Sequence, residues 1–376
     1  MEHFSKTNHL QISPGLLSVI CLVIILEMLF FGLWPFNYLP KNQVAWVETG
    51  KGINFQGKGH ILSTESTIWP RDDYSGEPLT LEIILKPERT YGEWIPHILS
   101  LCDPSGREIV YFGQWENNLI IRFMDDRRWV ERVKMEFESS AVLIAGKPVL
   151  INLVLAKGGA SLFINGRLDR EFTDLNFTQL LVERPVQSLV FGNSSSGDSP
   201  WTGDLTHFTV FDKALESTVI LDHYHQLEIG KEADGMVSAG EEIIRYRFNE
   251  NSGRIIRNDA SKDWNFLIPR TLIPLRREFL SLPSLYYFNS RPFYNDAIIN
   301  LLGFIPIGFI LAGFIGTSTN SKRVRALAIA VLLGGSLSLF IEVNQAFLIG
   351  RVSSFSDIIV NILGTAVGAN FMIHSD

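Results

Sequence analysis

Three apolar runs in the last quarter of the chain carry residues that lipid does not accept without a reason. Asp296, Asn300 and Phe304 recur at i, i+4 and i+8. Ser338, Glu342 and Gln345 recur at i, i+4 and i+7, and Asp357, Asn361, Gly364 and Gly368 at i, i+4, i+7 and i+11. On helices each set shares one face. Arg351 lies between the second and third sets and is the nearby cation able to pair with Glu342 or Asp357. A charge at mid-bilayer costs roughly 2.5–3.5 kcal/mol, so such residues mark a functional site by default. The sharp reading is a polar pocket of Asp296, Asn300, Glu342, Gln345, Arg351, Asp357 and Asn361 at the outer leaflet. The bland reading is architecture, because amides and small residues also hold membrane helices together.

The elements that position these residues are spans. Residues 296–316, 326–348 and 357–373 each reach the roughly 20 residues that cross a hydrocarbon core. Pro306 falls within the first of them, where neighbouring helices absorb it. Residues 15–34 form a further apolar run after a polar stretch at 1–14. A cleaved signal peptide would want a small-x-small site, and Phe31-Gly-Leu-Trp-Pro-Phe-Asn-Tyr38 is a poor one. Trp34, Phe36 and Tyr38 read instead as an interfacial aromatic belt on a retained helix. Glu27, inside that helix, is expected to face the bundle interior. Lys322, Arg323 and Arg325 make the short loop after the second span cytoplasmic by the positive-inside rule. Both termini then lie in the cytoplasm, the middle of the chain lies outside, and the polar residues share one depth.

The chain has 376 residues, 46% of them hydrophobic, and a formal net charge of -7. No long basic block appears, which argues against nucleic acid. Of the two cysteines, Cys21 is in an apolar run and Cys102 in a strand-like stretch, so no disulfide or thiolate metal site is expected.

Residues 44–250 are β-rich. Leu79-Thr-Leu-Glu-Ile-Ile-Leu85 alternates in its first half. Val149–Leu155 and Ala160–Ile164 flank Lys157-Gly-Gly, a hairpin signal. Short strands spaced by Gly, Asn, Asp and Ser suggest an antiparallel sandwich. One soluble helix is expected near Glu216–His225, a last strand at Glu242–Phe248, a surface loop at 228–241, and a linker re-entering the membrane at 251–295. The loop Gly192–Asp198 makes Asp198, with Asp204, the candidates for calcium, a solvated turn explaining them equally well; no other cofactor is expected. Trp94, Trp115 and Trp129 could stack on sugars or anchor loops.

Ala45-Trp46 leading to Gly52-Ile-Asn-Phe, Leu162-Phe-Ile-Asn-Gly-Arg167, and Trp201-Thr-Gly-Asp-Leu205 before Phe211-Asp-Lys-Ala-Leu-Glu216 resemble the LamG-type concanavalin A-like lectin/glucanase fold. That resemblance implies a jelly-roll sandwich and leaves function open, since the fold hosts binders, hydrolases and spacers. Retaining glucanases of this fold carry Glu-x-Asp-x-x-Glu on one strand face; here Glu171-Phe-Thr-Asp174 is the nearest pair, and it follows a hairpin. Asn300 before Phe304-x-Pro306-x-Gly308, Glu342-x-x-Gln345, Arg351, and Asp357-x-x-x-Asn361-x-x-Gly364 resemble the VanZ-like family of bacterial membrane proteins. Pro35-Phe-Asn37 resembles the end of that family's first helix. The resemblance implies a link to the cell envelope and to teicoplanin-type glycopeptide resistance.

The expected architecture is a membrane four-helix bundle with an all-β sandwich inserted between its first and second helices. The expected function is envelope-related: the sandwich presents a glycan, or a lipid-linked cell-wall precursor, to the polar pocket. The alternative is a non-catalytic, membrane-anchored adhesion or scaffold protein. A transporter or intramembrane enzyme using Glu342 and Asp357 in proton chemistry ranks behind both. No nucleophile paired with a base is visible, so the reading leans away from an enzyme.

Overall fold

The computed structural model describes residues 14–48, 51–64, 76–125, 132–173, 177–228, 242–261, 263–277, 279–282, 291–315 and 320–375. The expected loop at 228–241, apart from Glu228, and Trp129 lie outside them. The chain divides into two compact units: one joins Met1–Tyr38 to Arg277–Asp376, and the other is Leu39–Arg276.

The second unit is a sandwich of two antiparallel sheets. In chain order its elements are β1 (Val44–Trp46), β2 (Ile53–Gln56), β3 (Ile61–Ser63), β4 (Leu79–Pro87), β5 (His97–Cys102), β6 (Glu108–Trp115), β7 (Asn118–Asp125) and β8 (Arg132–Ser139). There follow β9 (Val149–Ala156), β10 (Gly159–Ile164), β11 (Arg167–Phe172), a short helix at Phe177–Glu183, β12 (Ser188–Phe191) and β13 (Thr202–Phe211). After a helix at Ser217–Glu228 come β14 (Glu242–Tyr246), β15 (Ile255–Ile256) and β16 (Phe266–Leu267). Counting the helix at Pro14–Leu33 as α1, these two helices are α2 and α3. The first sheet runs β1-β2-β13-β4-β9-β10-β11, with β14 paired to β13; the second runs β15-β16-β3-β12-β5-β6-β7-β8.

Alternation explains the core. Leu79, Leu81, Ile83 and Leu85 point between the sheets and meet Phe55, Leu99, Phe123, Ile151, Phe191, Trp201 and Phe208. The Asn165-Gly166 pair turns β10 into β11 with φ of 51° and 78°, the two positive values of a type I′ hairpin. Strand β4 is buried along nearly its whole length because α3 covers the opposite face. There Phe211, Val154 and Phe163 pack on Leu215 and Ile220.

Two expectations are corrected. The sandwich does not end at 250: β15 and β16 pair with each other, and β16 with β3, so the first part of the expected linker 251–295, as far as Arg276, belongs to the sandwich unit. The α2 turn was also not expected. The sandwich's entry and exit are joined. Asn42 N–H donates to the Arg270 carbonyl at 3.1 Å, Leu272 N–H to Pro40 at 2.9 Å, and the Asn42 amide to Pro269 at 2.8 Å.

The first unit is helical: α1, then α4 (Arg291–Ile315), α5 (Asn320–Gln345) and α6 (Phe355–Ser375). Among the described residues, three stretches are long and apolar enough to cross a membrane: Phe293–Ile315, Lys322–Gln345 and Phe355–His374. The described apolar part of α1, Ser18–Leu33, is shorter. Helix α4 lies directly on α6. A Cβ added to Gly308 would stand 1.9 Å from the Thr365 carbonyl oxygen, and one on Gly368 would stand 1.8 Å from that of Ile305. Met28, Leu29 and Leu33 of α1 pack with Phe304 and Ile307 of α4 and Ile341 of α5. Glu27 is exposed on α1, contrary to the expected inward orientation, because the apolar Ile24, Met28 and Leu33 take the packed face.

Candidate functional site

The seven polar residues singled out in the helices fall into three groups rather than one pocket. The first is acidic. Glu342, near the end of α5, is 2% exposed. Its Oε2 accepts the Ser354 backbone N–H at 2.7 Å, and the Ser353 side chain also reaches it. Asp357, in the first turn of α6, is bonded by the Asn300, Ser354 and Ser356 side chains, the last at 3.4 Å. Glu342 and Asp357 stand close enough to repel each other, and Asp296 acts on Asp357 in the same sense. Asn300 therefore connects α4 to the first turn of α6.

Ser354-x-x-Asp357 is a capping-box pattern at the start of α6. That spacing is the sequence signal for Ser354, which the i, i+4 pattern of the polar residues does not include. The backbone N–H bonded by Glu342 and the side chain bonded by Asp357 both belong to this serine, which ties the two carboxylates to one helix start.

The second group docks α1. Gln345 Nε2 donates to the Gly32 carbonyl at 2.8 Å. Arg351 donates from Nε and Nη2 to Trp34 at 3.2 and 2.9 Å, and from Nη2 to Phe31 at 3.4 Å. These carbonyls end α1 and have no partner within the helix, and a guanidinium there also answers the helix dipole. The expected pairing of Arg351 with Glu342 or Asp357 is thus replaced by a cap, since its fork is committed to α1.

The third group is a seam between α5 and α6. Asn361 donates from Nδ2 to Ser338 Oγ at 2.9 Å, and Thr365 Oγ1 donates to the Asn361 carbonyl at 2.8 Å.

In the sandwich, Asp204 accepts from Asn54 Nδ2 at 2.7 Å and pairs with Lys86 at 2.6 Å, so its oxygens hold neighbouring strands. Asp198 accepts from Ser194 Oγ at 2.6 Å and Ser199 Oγ at 3.1 Å within its own loop. Among the described residues no group of three or more His, Cys, Asp or Glu side chains is placed to hold a metal. Trp94 is exposed beside Tyr91, and Trp115 is half-buried.

Two polar groupings were not anticipated. Under α3, Glu82 Oε2 takes bonds from Asn152 Nδ2 at 2.7 Å and His223 Nδ1 at 2.8 Å, with His207 Nε2 at 3.8 Å from Oε1. Burial pushes the Glu82 carboxyl up, but His223, His207 and Asn152 together hold it below the usual range. Burial, helped by Arg245, His223 and Arg247, holds His207 below its ordinary value against the pull of Glu82.

At the sandwich's neck, His60 Nε2 accepts the Ile273 N–H at 3.2 Å, so the proton of its neutral ring sits on Nδ1. Burial lowers its pKa to about 4. A depressed folded pKa means that the unfolded chain binds protons first as pH falls. The stability this histidine lends is complete above pH ~6.5 and lost between ~6.5 and ~4, about 3 kcal/mol in all. Urea midpoints taken across that range should fall for the native chain, and flatten for His60→Gln.

Residues 243–374 match the family model VanZ/LLP1, and residues 58–221 match that of the concanavalin A-like lectin/glucanases superfamily, Laminin_G_3. The chain joins a VanZ-like membrane part to a lectin-like domain. The VanZ-like match begins within β14 of the sandwich and takes in α4, α5 and α6 with every residue of the acidic group. The lectin-like match runs from just after β2 into α3.

Solved structures similar to this chain include a Bacteroides ovatus protein assigned provisionally to carbohydrate binding, with 10% identity, a TM-score of 0.39 and coverage of 62% of this chain and 59% of that one. The receptor-binding domain of botulinum neurotoxin type G gives 14% identity, a TM-score of 0.37, and coverage of 50% and 45%. A Trypanosoma rangeli sialidase gives 13%, 0.35, and coverage of 48% and 28%. This chain thus spans less than two thirds of each. No curated protein matches it.

Proposed function

We propose that this VanZ-like protein sits in the bacterial cytoplasmic membrane and binds an envelope glycan or lipid-linked cell-wall precursor. Helix α1 joins α4, α5 and α6 as a fourth span, both termini are cytoplasmic, and the sandwich stands outside. The acidic group of Asp296, Asn300, Glu342 and Asp357 engages the polar part of the same ligand, and the activity contributes to glycopeptide resistance of the teicoplanin type.

The observation that carries this reading is that Glu342 and Asp357 gather on one serine, Ser354, at the ends of two apolar helices, where a purely architectural seam would be served by amides. The neck supports it too: a domain whose entry and exit are hydrogen-bonded is an insertion that leaves the helices free to pack.

The test compares the native chain, Glu342→Gln, and a chain in which a Gly-Ser linker replaces the residues between Pro40 and Leu272. Expected is a severalfold fall in teicoplanin tolerance for both variants at normal protein levels, with glycan-array binding by the detergent-solubilised chain lost only without the sandwich. Native tolerance in Glu342→Gln removes the acidic group from the mechanism. Tolerance lost only with the sandwich favours the scaffold reading, which the structural bonds of Gln345, Arg351 and Asn361 also suit.

A further inference from the structure

Among the described residues, Glu342 and Asp357, with the α5–α6 seam next to them, form a set of hydrogen-bond acceptors that no cation answers. Glu342 is answered by the Ser354 N–H and the Ser353 side chain, and Asp357 by Asn300, Ser354 and Ser356. All of these are neutral. Among the described residues neither carboxylate makes an ion pair, and Arg351 is committed to the end of α1. A buried carboxylate such as Glu342 is costly without a counter-charge, and a half-buried neighbour such as Asp357 that repels it adds to the cost.

A second observation points the same way. Asn361 is 4% exposed, and its Oδ1 has no hydrogen-bond partner although Nδ2 is bonded to Ser338. Asn361 follows Asp357 by one turn on α6, and Ser338 precedes Glu342 by one turn on α5. The amide therefore spans the seam that the carboxylates head, and leaves in it a buried acceptor that asks for a donor.

We propose that this seam receives a primary ammonium group, held by Glu342 and Asp357 with the Asn361 amide oxygen as third acceptor. An ammonium offers three N–H donors and no acceptor, the complement of such a site. A phosphate would be repelled, and a quaternary ammonium has no N–H to give. A metal ion is not matched, because no group of three metal-ligating side chains is placed for one among the described residues. The inference rests on the reading of these helices as a membrane unit engaging an envelope component, and it names the chemistry of the group engaged. Aminophospholipid headgroups and amino sugars both carry it.

The experiment places the full chain in phosphatidylcholine nanodiscs doped with phosphatidylethanolamine or with phosphatidylglycerol, and measures by native mass spectrometry which lipid stays bound. A second arm adds glucosamine or N-acetylglucosamine. Phosphatidylethanolamine retained over both other lipids supports a lipid source, and glucosamine bound in preference to its acetylated form supports a soluble one. In either case Glu342→Gln and Asp357→Asn weaken retention about tenfold or more, the scale of a lost hydrogen bond to a charge. Glu342→Asp, which keeps the charge, retains part of it. No selectivity for a primary amine in either arm overturns the inference, as does equal retention by the double variant Glu342→Gln, Asp357→Asn. Amine binding lost while glycopeptide tolerance stays native leaves the inference standing and sinks the envelope role. Tolerance that depends on Glu342 with no amine retained does the reverse.

Discussion

Replacing Glu82 by alanine is expected to cost the sandwich about 3–5 kcal/mol, the penalty for breaking a buried charged network by removing one member. Asn152, His207 and His223 converge on this carboxylate, and all are nearly inaccessible to water. Without it the Asn152 amide and the His223 ring lose their acceptor and cannot turn to solvent, because α3 closes the site. Glu82→Gln keeps the shape and one acceptor and should cost less. Glu82→Leu with His223→Leu replaces the pair by apolar groups and should recover much of the loss, since buried ion pairs exchange for packed hydrophobics at little cost. The folded carboxyl titrates below its ordinary value, so its contribution is present above pH ~4.5 and lost as pH falls through the lower folded value. Urea titration of the full chain, followed by tryptophan fluorescence, separates the variants. An unchanged midpoint for Glu82→Ala would mean that α3 is not held through this network.

The same strand shows what residue order reveals and what it conceals. Leu79, Leu81, Ile83 and Leu85 are legible as an inward face because side chains alternate. Glu82 then reads as outward and solvated, and only the return of α3, about 135 residues later, buries it. Hairpins are local and were legible: Lys157-Gly-Gly lies at the turn that joins β9 to β10, with Gly159 at positive φ. The two-residue strands β15 and β16 were not, because neither is long enough to show a period. In the helices, i, i+4 spacing identifies a face but not the neighbour it meets. Asp296, Asn300, Glu342 and Asp357 do gather, whereas Gln345 and Arg351 turn to α1 and Asn361 to Ser338. Long-range partners such as the Phe31 and Trp34 carbonyls are backbone atoms, which no side-chain pattern advertises. Glu27 errs for a related reason: a carboxylate in an apolar run says nothing of which side of α1 carries the packing.

Gly368→Val, and equally Gly308→Val, is expected to separate α4 from α6 and abolish the acidic group without touching any of its members. The added Cβ atoms would fall 1.8 Å from the Ile305 oxygen and 1.9 Å from the Thr365 oxygen. Both obstacles are backbone, so no rotamer change relieves the clash and one helix must move by more than 1 Å. Overpacking of a tight interface costs roughly 1–3 kcal/mol or more, and membrane helices that associate through small residues have no hydrophobic drive to offset it. Gly364 lies on the same stripe, 2.4 Å from the Leu301 oxygen by the same measure. Because Asn300 reaches Asp357 across this interface, displacement breaks that bond first. Cysteines placed at the exposed Leu302 of α4 and Leu363 of α6, in a chain without Cys21 and Cys102, would report the spacing through cross-linking by a short bis-maleimide, with Gly335→Ala as control. Gly335 meets only the flexible Ile362 side chain, at 3.2 Å, so its substitution should leave the cross-link intact. Efficient cross-linking in Gly368→Val would show that α4 and α6 do not depend on this contact. Its loss, together with loss of glycopeptide tolerance while the Glu342 and Asp357 side chains remain, would place the function in the alignment of three helices rather than in the carboxylates alone.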